Sequence, residues 1–270
     1  MSKKLNLKKI DPSSTGKFKS EDELKELTQK DLEKLYDLLY LMFAENKHSL
    51  LIILHGIDTA GKDGTVRHIY SGANPQGIRS FSFKKPTEEE LKHDFLWRCH
   101  KHTPEAGYTA IFNRSYYEEV SAVKVHPELL KAQHLPEAML KDPKLFEKRY
   151  HHINHFEKML NDSGTKVIKF LLHISKDEQK ERFEERLKDR KKNWKFSEQD
   201  LEERKYWDDY MKVFQEMINK TNTKHSPWHI IPADKKWYRN HLISKILVST
   251  LSDLDMKFPP LSVNKKVKLK

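Results

Sequence analysis

The chain has 270 residues, 34% of them charged, with 8 glycines and 11 prolines. These proportions are typical of a helix-rich globular protein and argue against a β-sandwich or a disordered chain. Cys99 is the only cysteine, which excludes an internal disulfide, and we expect it to be a small buried apolar side chain.

The formal net charge of +11 predicts affinity for a polyanion. Nucleic acid, an anionic membrane surface and a phosphorylated substrate are the candidates. No stretch of the sequence approaches the roughly 20 apolar residues of a membrane span, so we expect no membrane-spanning helix. No secretory leader is recognisable, so we expect a cytoplasmic address. Lysines are frequent at both ends, and we interpret residues 1–22 as a loose basic arm and residues 259–270 as a basic tail around a single domain over 23–258.

Apolar spacing and turn residues predict a series of alternating helices and strands. In chain order these are helix 23–46, strand 51–54, helix 65–72, strand 78–83, helix 87–102, strand 108–112, a helix ending at 123, helix 143–161, strand 166–174, a helix opened by Ser175, a helix opened by Ser197 that runs to about 219, strand 228–232 and helix 236–254. Parallel strands need crossover connections, so this alternation predicts an α/β fold: a parallel five-stranded sheet with helices on both faces. Ligands of such sheets lie beyond the carboxyl ends of the strands.

The segment from Gly56 to Gly64 has the sequence of a phosphate-binding loop. It follows the apolar run Leu51–Leu54 and precedes a helix, so that backbone N–H groups, the helix N-terminus and Lys62 all point at one anion. Asp63 stands where the usual motif has a Ser or Thr that holds magnesium, and Asp58 adds a second carboxylate. We interpret both aspartates as groups that hold cations, orient Lys62 or meet a substrate proton. The alternative is a glycine-rich turn without function.

A second group, Asn113-Arg114-Ser115 with Glu118, follows the third strand. Many phosphate-loop enzymes keep a metal-binding acid at this place. Asn113 is neutral, so a bound cation would rely on Asp58, on substrate phosphates and on Glu118. Asn113 could also be a simple turn residue, whereas Arg114 at a strand end is harder to explain as structure.

A third group is formed by Arg182, Arg186 and Arg190, whose four-residue spacing predicts one face of a helix. The segment that follows them is basic and poor in apolar anchors, so we interpret about 182–198 as a mobile helical lid that closes on polyphosphate. Guanidinium groups match phosphate oxygens better than lysines do. The alternative is a solvated helix with internal salt bridges. The 15 histidines, among them His93 and His102, lack the spacing of a metal site and are expected to pack, cap or donate hydrogen bonds.

Five sequence segments, occurring in the same order along the chain, together resemble the family-2 polyphosphate kinases. They are Gly56–His68, Gly72–Gly77, Phe83–Leu91, His93–Arg98 and Ile111–Glu118. The match to these segments spans about 51–126 and continues more weakly to the C-terminus. A set of motifs this long is more specific than a phosphate loop alone. The phosphate loop contains Lys-Asp-Gly and the third strand is followed by Asn-Arg-Ser. Both sequences are similar to those of the subgroup that phosphorylates AMP and ADP.

The resemblance implies a P-loop kinase-like fold and a reversible transfer of the terminal phosphoryl group of inorganic polyphosphate to AMP or ADP. It further implies Mg²⁺ or Mn²⁺ as cofactor, ATP and guanine nucleotides as further partners, a homodimer or homotetramer, and no nucleic-acid or membrane partner. It assigns catalysis to Asp58, Lys62 and Arg114, and metal binding to Asp58 and Glu118. It assigns nucleotide or polyphosphate binding to Gly56, Ala60, Gly61, Asp63, Gly64, Thr65, Arg67, Lys84, Asn113, Arg182, Arg186 and Arg190. An ATP-dependent nucleoside monophosphate kinase and a non-catalytic polyanion-binding protein are the alternatives.

Overall fold

The computed structural model of this chain describes residues 4–261, apart from the side chain of Lys195. Most of the predicted basic tail therefore lies outside the described residues, as do residues 1–3. Within this range no helix is both long and apolar enough to cross a bilayer.

A five-stranded parallel sheet forms the centre of the molecule, as predicted. The strands are β1 (Ser49–His55), β2 (Ile78–Ser82), β3 (Thr109–Asn113), β4 (Thr165–His173) and β5 (Trp228–Pro232), in the order β2-β3-β1-β4-β5. Every residue of β1 is buried, which explains the unbroken apolar run from Leu50 to Leu54, because a central parallel strand is covered on both faces. Leu54 pairs with Asn113 on one side and with Phe170 on the other. The carboxyl ends of β1, β3 and β4 therefore meet at one edge of the sheet.

Helices flank the sheet. Among the described residues they are α1 (Asp22–Glu45), α2 (Lys62–Tyr70), α3 (Glu88–Leu91), α4 (Trp97–His100), α5 (Ala122–Val125), α6 (Glu137–Leu140), α7 (Leu145–Asp162), α8 (Lys176–Lys188), α9 (Glu198–Glu203), α10 (Trp207–Thr221) and α11 (Lys236–Ser252). One group is formed by α1, α2 and α11, and α7 packs on β4 and against α10. Cys99 is fully buried, as predicted, and burial raises the pKa of its thiol to about 12.

The predicted helix over 87–102 is wrong in its middle. Thr87 caps α3 as the sequence indicated, and its N–H donates in return to the Glu90 carboxylate, but α3 ends at Leu91 and α4 begins only at Trp97. The cause is Asp94, whose carboxylate accepts hydrogen bonds from the backbone N–H groups of Leu96 and Trp97 and so starts a new turn. The packing role predicted for the histidines is confirmed for His93, which stacks on Trp97, and for His102, which stacks on Phe81.

Two further helices are interrupted. The segment after β3 begins with a 3₁₀ helix, Tyr116–Val120, before α5, and the predicted helix from Ser197 to about 219 is divided into α9, a 3₁₀ turn at Arg204–Tyr206 and α10. Helix α8 ends at Lys188, because Asp189 has an extended backbone. Arg190 therefore lies beyond the helix, and the prediction that the three arginines share one helical face is wrong for Arg190.

The N-terminal segment is packed against the domain and is not the loose arm that the sequence suggested. Leu7 is buried, and its N–H donates to the Gln215 side chain. The N–H of Asp234 donates to the carbonyl of Pro12 at 3.2 Å. A large apolar side chain among the lysines is what holds this segment in place.

Candidate active site

The loop between β1 and α2 has the backbone of an anion cradle. Gly56 and Gly61 have φ angles of 145° and 104°, and a Cβ on Gly56 would come within 2.8 Å of the Leu172 carbonyl oxygen, so a side chain is excluded there. Gly61 is the N-cap of α2, which begins at Lys62 and not at Thr65 as predicted. The first N–H groups of a helix have no partner within it. They point, with the positive end of the helix dipole, at the space in front of the loop.

Lys62 is buried beneath this loop. Its Nζ donates hydrogen bonds to the carbonyl oxygens of Gly56 at 2.7 Å and Ile57 at 3.1 Å. Burial and the charge of Arg114 lower the pKa of Lys62 to about 8, against the opposing effect of nearby carboxylates. An ammonium group has three N–H donors, so one remains for a phosphate oxygen while the other two fix its position.

Arg114 and Asp58 form an ion pair across the front of the loop. The Arg114 Nη2 lies 2.6 Å from the Asp58 Oδ1, and both side chains are partly open to solvent. Arg114 adopts φ 63°, and its N–H donates to the Leu54 carbonyl, so β1 and β3 together hold it in a conformation that is uncommon for an arginine. Burial raises the pKa of Asp58, but the charges of Lys62 and Arg114 outweigh it and hold that pKa below its ordinary value.

Glu118 lies behind this pair. Burial raises its pKa, and the charges of Arg114 and Lys62 oppose the rise. The Glu118 Oε1 is 3.5 Å from Nδ1 of His55, a buried ring whose pKa is lowered to about 3 by burial and by the charges of Lys62 and Arg114. His55 is therefore neutral at ordinary pH and does not balance the charge of Glu118.

Asn113 connects the end of β3 to the first turn of α2. Its side-chain amide donates to the Asp63 carboxylate at 2.8 Å. This contact gives both residues a role that a simple turn residue does not have. Thr65 is buried, and its hydroxyl donates to the Gly61 carbonyl at 3.2 Å, while Ala60 is fully buried under the loop.

The carboxylates of the site could hold magnesium only together with substrate phosphates and water. Among the described residues, no cluster of three or more acidic, histidine or cysteine side chains forms a ready-made metal site. Mg²⁺ is commonly held by one or two carboxylates together with substrate phosphates and water. Asp58 and Glu118 are near enough for the charge of Asp58 to raise the pKa of Glu118, and they fit that pattern.

Arg182 braces the phosphate loop and is not exposed as a lid residue. Its Nη1 donates to the carbonyl of Thr59 at 2.9 Å, and its Nη2 donates to the carbonyl of Ala233 at 2.6 Å. Its Nε is paired with Glu178 at 2.6 Å. The guanidinium thus joins the loop after β1 to the segment after β5.

The other predicted phosphate ligands lie at different distances from this centre. Arg186 pairs with Asp200 at 3.3 Å, and its charge lowers the pKa of Asp58, so it lies near the site. Arg67, Lys84 and Arg190 are exposed. The Lys84 carbonyl accepts a hydrogen bond from Arg98 at 2.7 Å.

A model of one protein family, polyphosphate kinase 2, matches residues 17–259. The chain belongs to the polyphosphate kinase 2 family. An ADP-polyphosphate phosphotransferase of Rhodopseudomonas palustris is 44% identical over 251 residues, which cover 93% of this chain and 86% of the relative. An AMP/ADP-polyphosphate phosphotransferase of Meiothermus ruber is 44% identical over 269 residues, covering 98% and 95%.

Solved structures of this family have the same fold. The crystal structure of polyphosphate kinase 2 from Arthrobacter aurescens TC1 superimposes with a TM-score of 0.89 at 39% identity, covering 98% of this chain and 91% of that one. The polyphosphate kinase 2 fold therefore accounts for the arrangement of strands around the loop.

Two residues that contact the loop of this family member were missed by the sequence analysis. Gln179 donates from its side chain to the Asp58 carbonyl at 3.1 Å. Its position three residues before Arg182, on the same face of α8, is the signal that could have found it. Arg239 lies in α11 with its guanidinium against Gly61 and Gly64, and no motif in the sequence marks it.

Proposed function

We propose that this protein transfers the terminal phosphoryl group of inorganic polyphosphate to AMP or ADP, reversibly and with Mg²⁺. The observation that carries the proposal is the convergence of Lys62 and Arg114 on Asp58 at the carboxyl ends of β1 and β3. The names of the two relatives at 44% identity support the choice of substrates.

Phosphoryl transfer needs little covalent chemistry from the protein, so positioning and positive charge carry the catalysis. In the proposed reaction an oxygen of the acceptor phosphate forms a bond to the terminal phosphorus of the polymer. The bond from that phosphorus to its bridging oxygen breaks, and the electron pair stays on the shortened chain. In the reverse reaction the nucleotide is the phosphoryl donor and the polyphosphate is the acceptor.

Each side chain has a role that follows from its position. Lys62 and the N-terminal N–H groups of α2 stabilise the negative charge of the phosphoryl group in transfer. Arg114 binds the phosphates of the acceptor nucleotide in fork geometry, and Asp58 orients Arg114 through their ion pair. Asp58 and Glu118 would hold Mg²⁺, which would neutralise negative charge on the substrate phosphates. The proposal includes a homo-oligomer of two or four subunits, which light scattering would measure.

A comparison of phosphate donors tests the proposal against an ATP-dependent nucleoside monophosphate kinase. Purified protein, Mg²⁺ and AMP are incubated with either polyphosphate or ATP, and AMP, ADP and ATP are separated by chromatography. We expect ADP with polyphosphate, whereas turnover with ATP alone would contradict the proposal. Lys62→Ala, purified in the same way, is the control for contaminating kinases. Binding of polyphosphate without turnover would identify a binding protein.

A further inference from the structure

Arg239 is a buried cation pressed against the phosphate loop. Only 3% of the residue is exposed. A Cβ on Gly61 would lie 2.0 Å from its Nη1, and one on Gly64 would lie 3.3 Å from its Nη2. The guanidinium occupies space that exists only because both loop positions are glycines.

The charge of Arg239 is not balanced by an acidic side chain. Within residues 4–261 it has no ion-pair partner. Its Nε and Nη2 donate to the Asn240 side-chain oxygen at 3.1 and 2.7 Å, and its Nη1 has no hydrogen bond in that range. Burial and the charge of Arg182 lower its pKa to about 10. The positive end of the α2 dipole lies beside it as well.

Such an arrangement is costly unless an anion completes it. A buried charge without a partner loses its hydration, and nearby positive groups add repulsion. The cost is repaid when a phosphate group binds, because each guanidinium donor then finds a charged acceptor. Arg239 therefore indicates an anion site on its side of the loop.

The sheet order separates this site from the acceptor side. Arg114 follows β3, on one side of the central strand β1, whereas Arg239 lies in the helix that follows β5, on the other side. A donor chain whose terminal phosphoryl group is at Lys62 carries about one charge per phosphate unit, so its next units would bring anions toward Arg239.

We infer that Arg239 binds a phosphate unit of the polyphosphate donor behind the terminal phosphoryl group. The inference rests on the proposed function, because it takes the donor to be a phosphate polymer. It assigns the two sides of the loop to different substrates: the nucleotide to Arg114 and the polymer to Arg239.

The test compares Arg239→Gln with Lys245→Gln, an equal loss of charge at an exposed position of the same helix. Arg239→Gln should raise the KM for polyphosphate roughly 10- to 100-fold, as expected for a lost charged hydrogen bond. It should leave the KM for ADP within about twofold and flatten the salt dependence of the polyphosphate KM. Lys245→Gln should change none of these values. An equal rise of both KM values in Arg239→Gln would indicate a merely structural role and overturn the inference.

Thermal unfolding gives a second measurement that does not depend on turnover. Polyphosphate should raise the unfolding midpoint of the wild type more than that of Arg239→Gln, while ADP should raise both equally. Arg239→Lys, which keeps the charge but loses the fork, should lie between them. An equal shift by polyphosphate in all three proteins would contradict the inference. A wild type that accepts only ATP would contradict the proposed function instead, and a loss of stabilisation by ATP in Arg239→Gln would then assign the site to a nucleotide donor.

Discussion

The Nη2 of Arg114 donates a hydrogen bond of 2.6 Å to the Oδ1 of Asp58. The bond joins the residue after β3 to the loop after β1, 56 positions apart in the sequence. It holds the guanidinium at the front of the loop, close to Lys62, and it partly neutralises both positive groups before any substrate is bound. The charged centre of the site is therefore preformed.

Arg114→Gln should lower kcat/KM for ADP by about 10³-fold, in the range found for other arginines that stabilise phosphoryl transfer. The physical reason is the loss of a fork-shaped cation that no other residue replaces at this position. Steady-state kinetics would measure the effect, with Arg79→Gln as the control, since Arg79 forms an exposed pair with Glu105 and lies over the Tyr108 ring. If Arg114→Gln and Arg79→Gln behaved alike, the role assigned to Arg114 would be wrong.

Lys62→Ala should lower turnover by a factor of about 10³ or more, and the variant should keep its fold. The loop loses the ammonium group but keeps its glycines and the brace from Arg182. Activity and circular dichroism should be measured together, beside Lys34→Ala, which changes an exposed lysine of α1. Near-normal turnover by a folded Lys62→Ala protein would refute the assignment.

The pH dependence of activity should reflect Lys62. Its pKa in the free protein is lowered from 10.5 to about 8, so its charge is lost as pH rises through about 8, and kcat/KM for polyphosphate should fall there. A bound phosphate favours the charged form, so kcat should fall at a higher pH than kcat/KM. Lys62→Arg, if active, should keep its charge and show no fall near pH 8. A profile that is flat between pH 7 and about 10 in the wild type would contradict the assignment.

The free energy of unfolding should also depend on the titration of Lys62, but it should rise with pH where the activity falls. Folding disfavours the charged form of Lys62, so its unfavourable contribution is fully present below pH about 8 and disappears as pH rises toward 10.5. Urea unfolding at several pH values should therefore show a rise in this window that is smaller in Lys62→Met. An identical rise in the wild type and in Lys62→Met would show that a group other than Lys62 causes it.

A buried ion pair joins β4 to α7. The Lys169 Nζ contacts Glu157 at 2.6 Å and the Tyr117 hydroxyl at 2.9 Å, and both charged side chains are fully buried. Lys169→Met should lower the free energy of unfolding by about 3–5 kcal/mol, because Glu157 is left without its counter-ion. Adding Glu157→Leu should recover part of the loss. Chemical denaturation would measure both.

The control for this pair is Lys158→Met, which breaks a partly exposed pair with Asp162 on the same helix as Glu157. It should cost less than about 1 kcal/mol, because water replaces such a pair at little loss. A similar cost for Lys158→Met and Lys169→Met would show that burial does not decide the strength of these pairs.

The local parts of the fold could be predicted from the sequence, and the long-range parts could not. The strand, loop and helix around Lys62 follow from neighbouring residues, and so does the meeting of the β1 and β3 ends once a parallel sheet is assumed. Arg182, in contrast, donates to Thr59 and Ala233, which are 123 and 51 positions away. Its spacing from Arg186 indicates a helical face but not which partners that face will meet.

Side-chain competition explains the error in the helix predicted over 87–102. Asp94 bonds to nearby backbone N–H groups, which a pattern of apolar residues does not register. Arg239 was missed for a different reason. Its significance depends on the absence of an acidic partner and on the two glycines that make room for it, and both become visible only in three dimensions.

The formation of ATP from ADP and polyphosphate, with no other nucleotide present, is the decisive measurement of the proposed activity. We predict that the wild type forms ATP in proportion to the phosphate units lost from the polymer, and that Lys62→Ala and Arg114→Gln form at least about 10³-fold less. A wild type that forms no ATP from polyphosphate, or variants that match its rate, would contradict it.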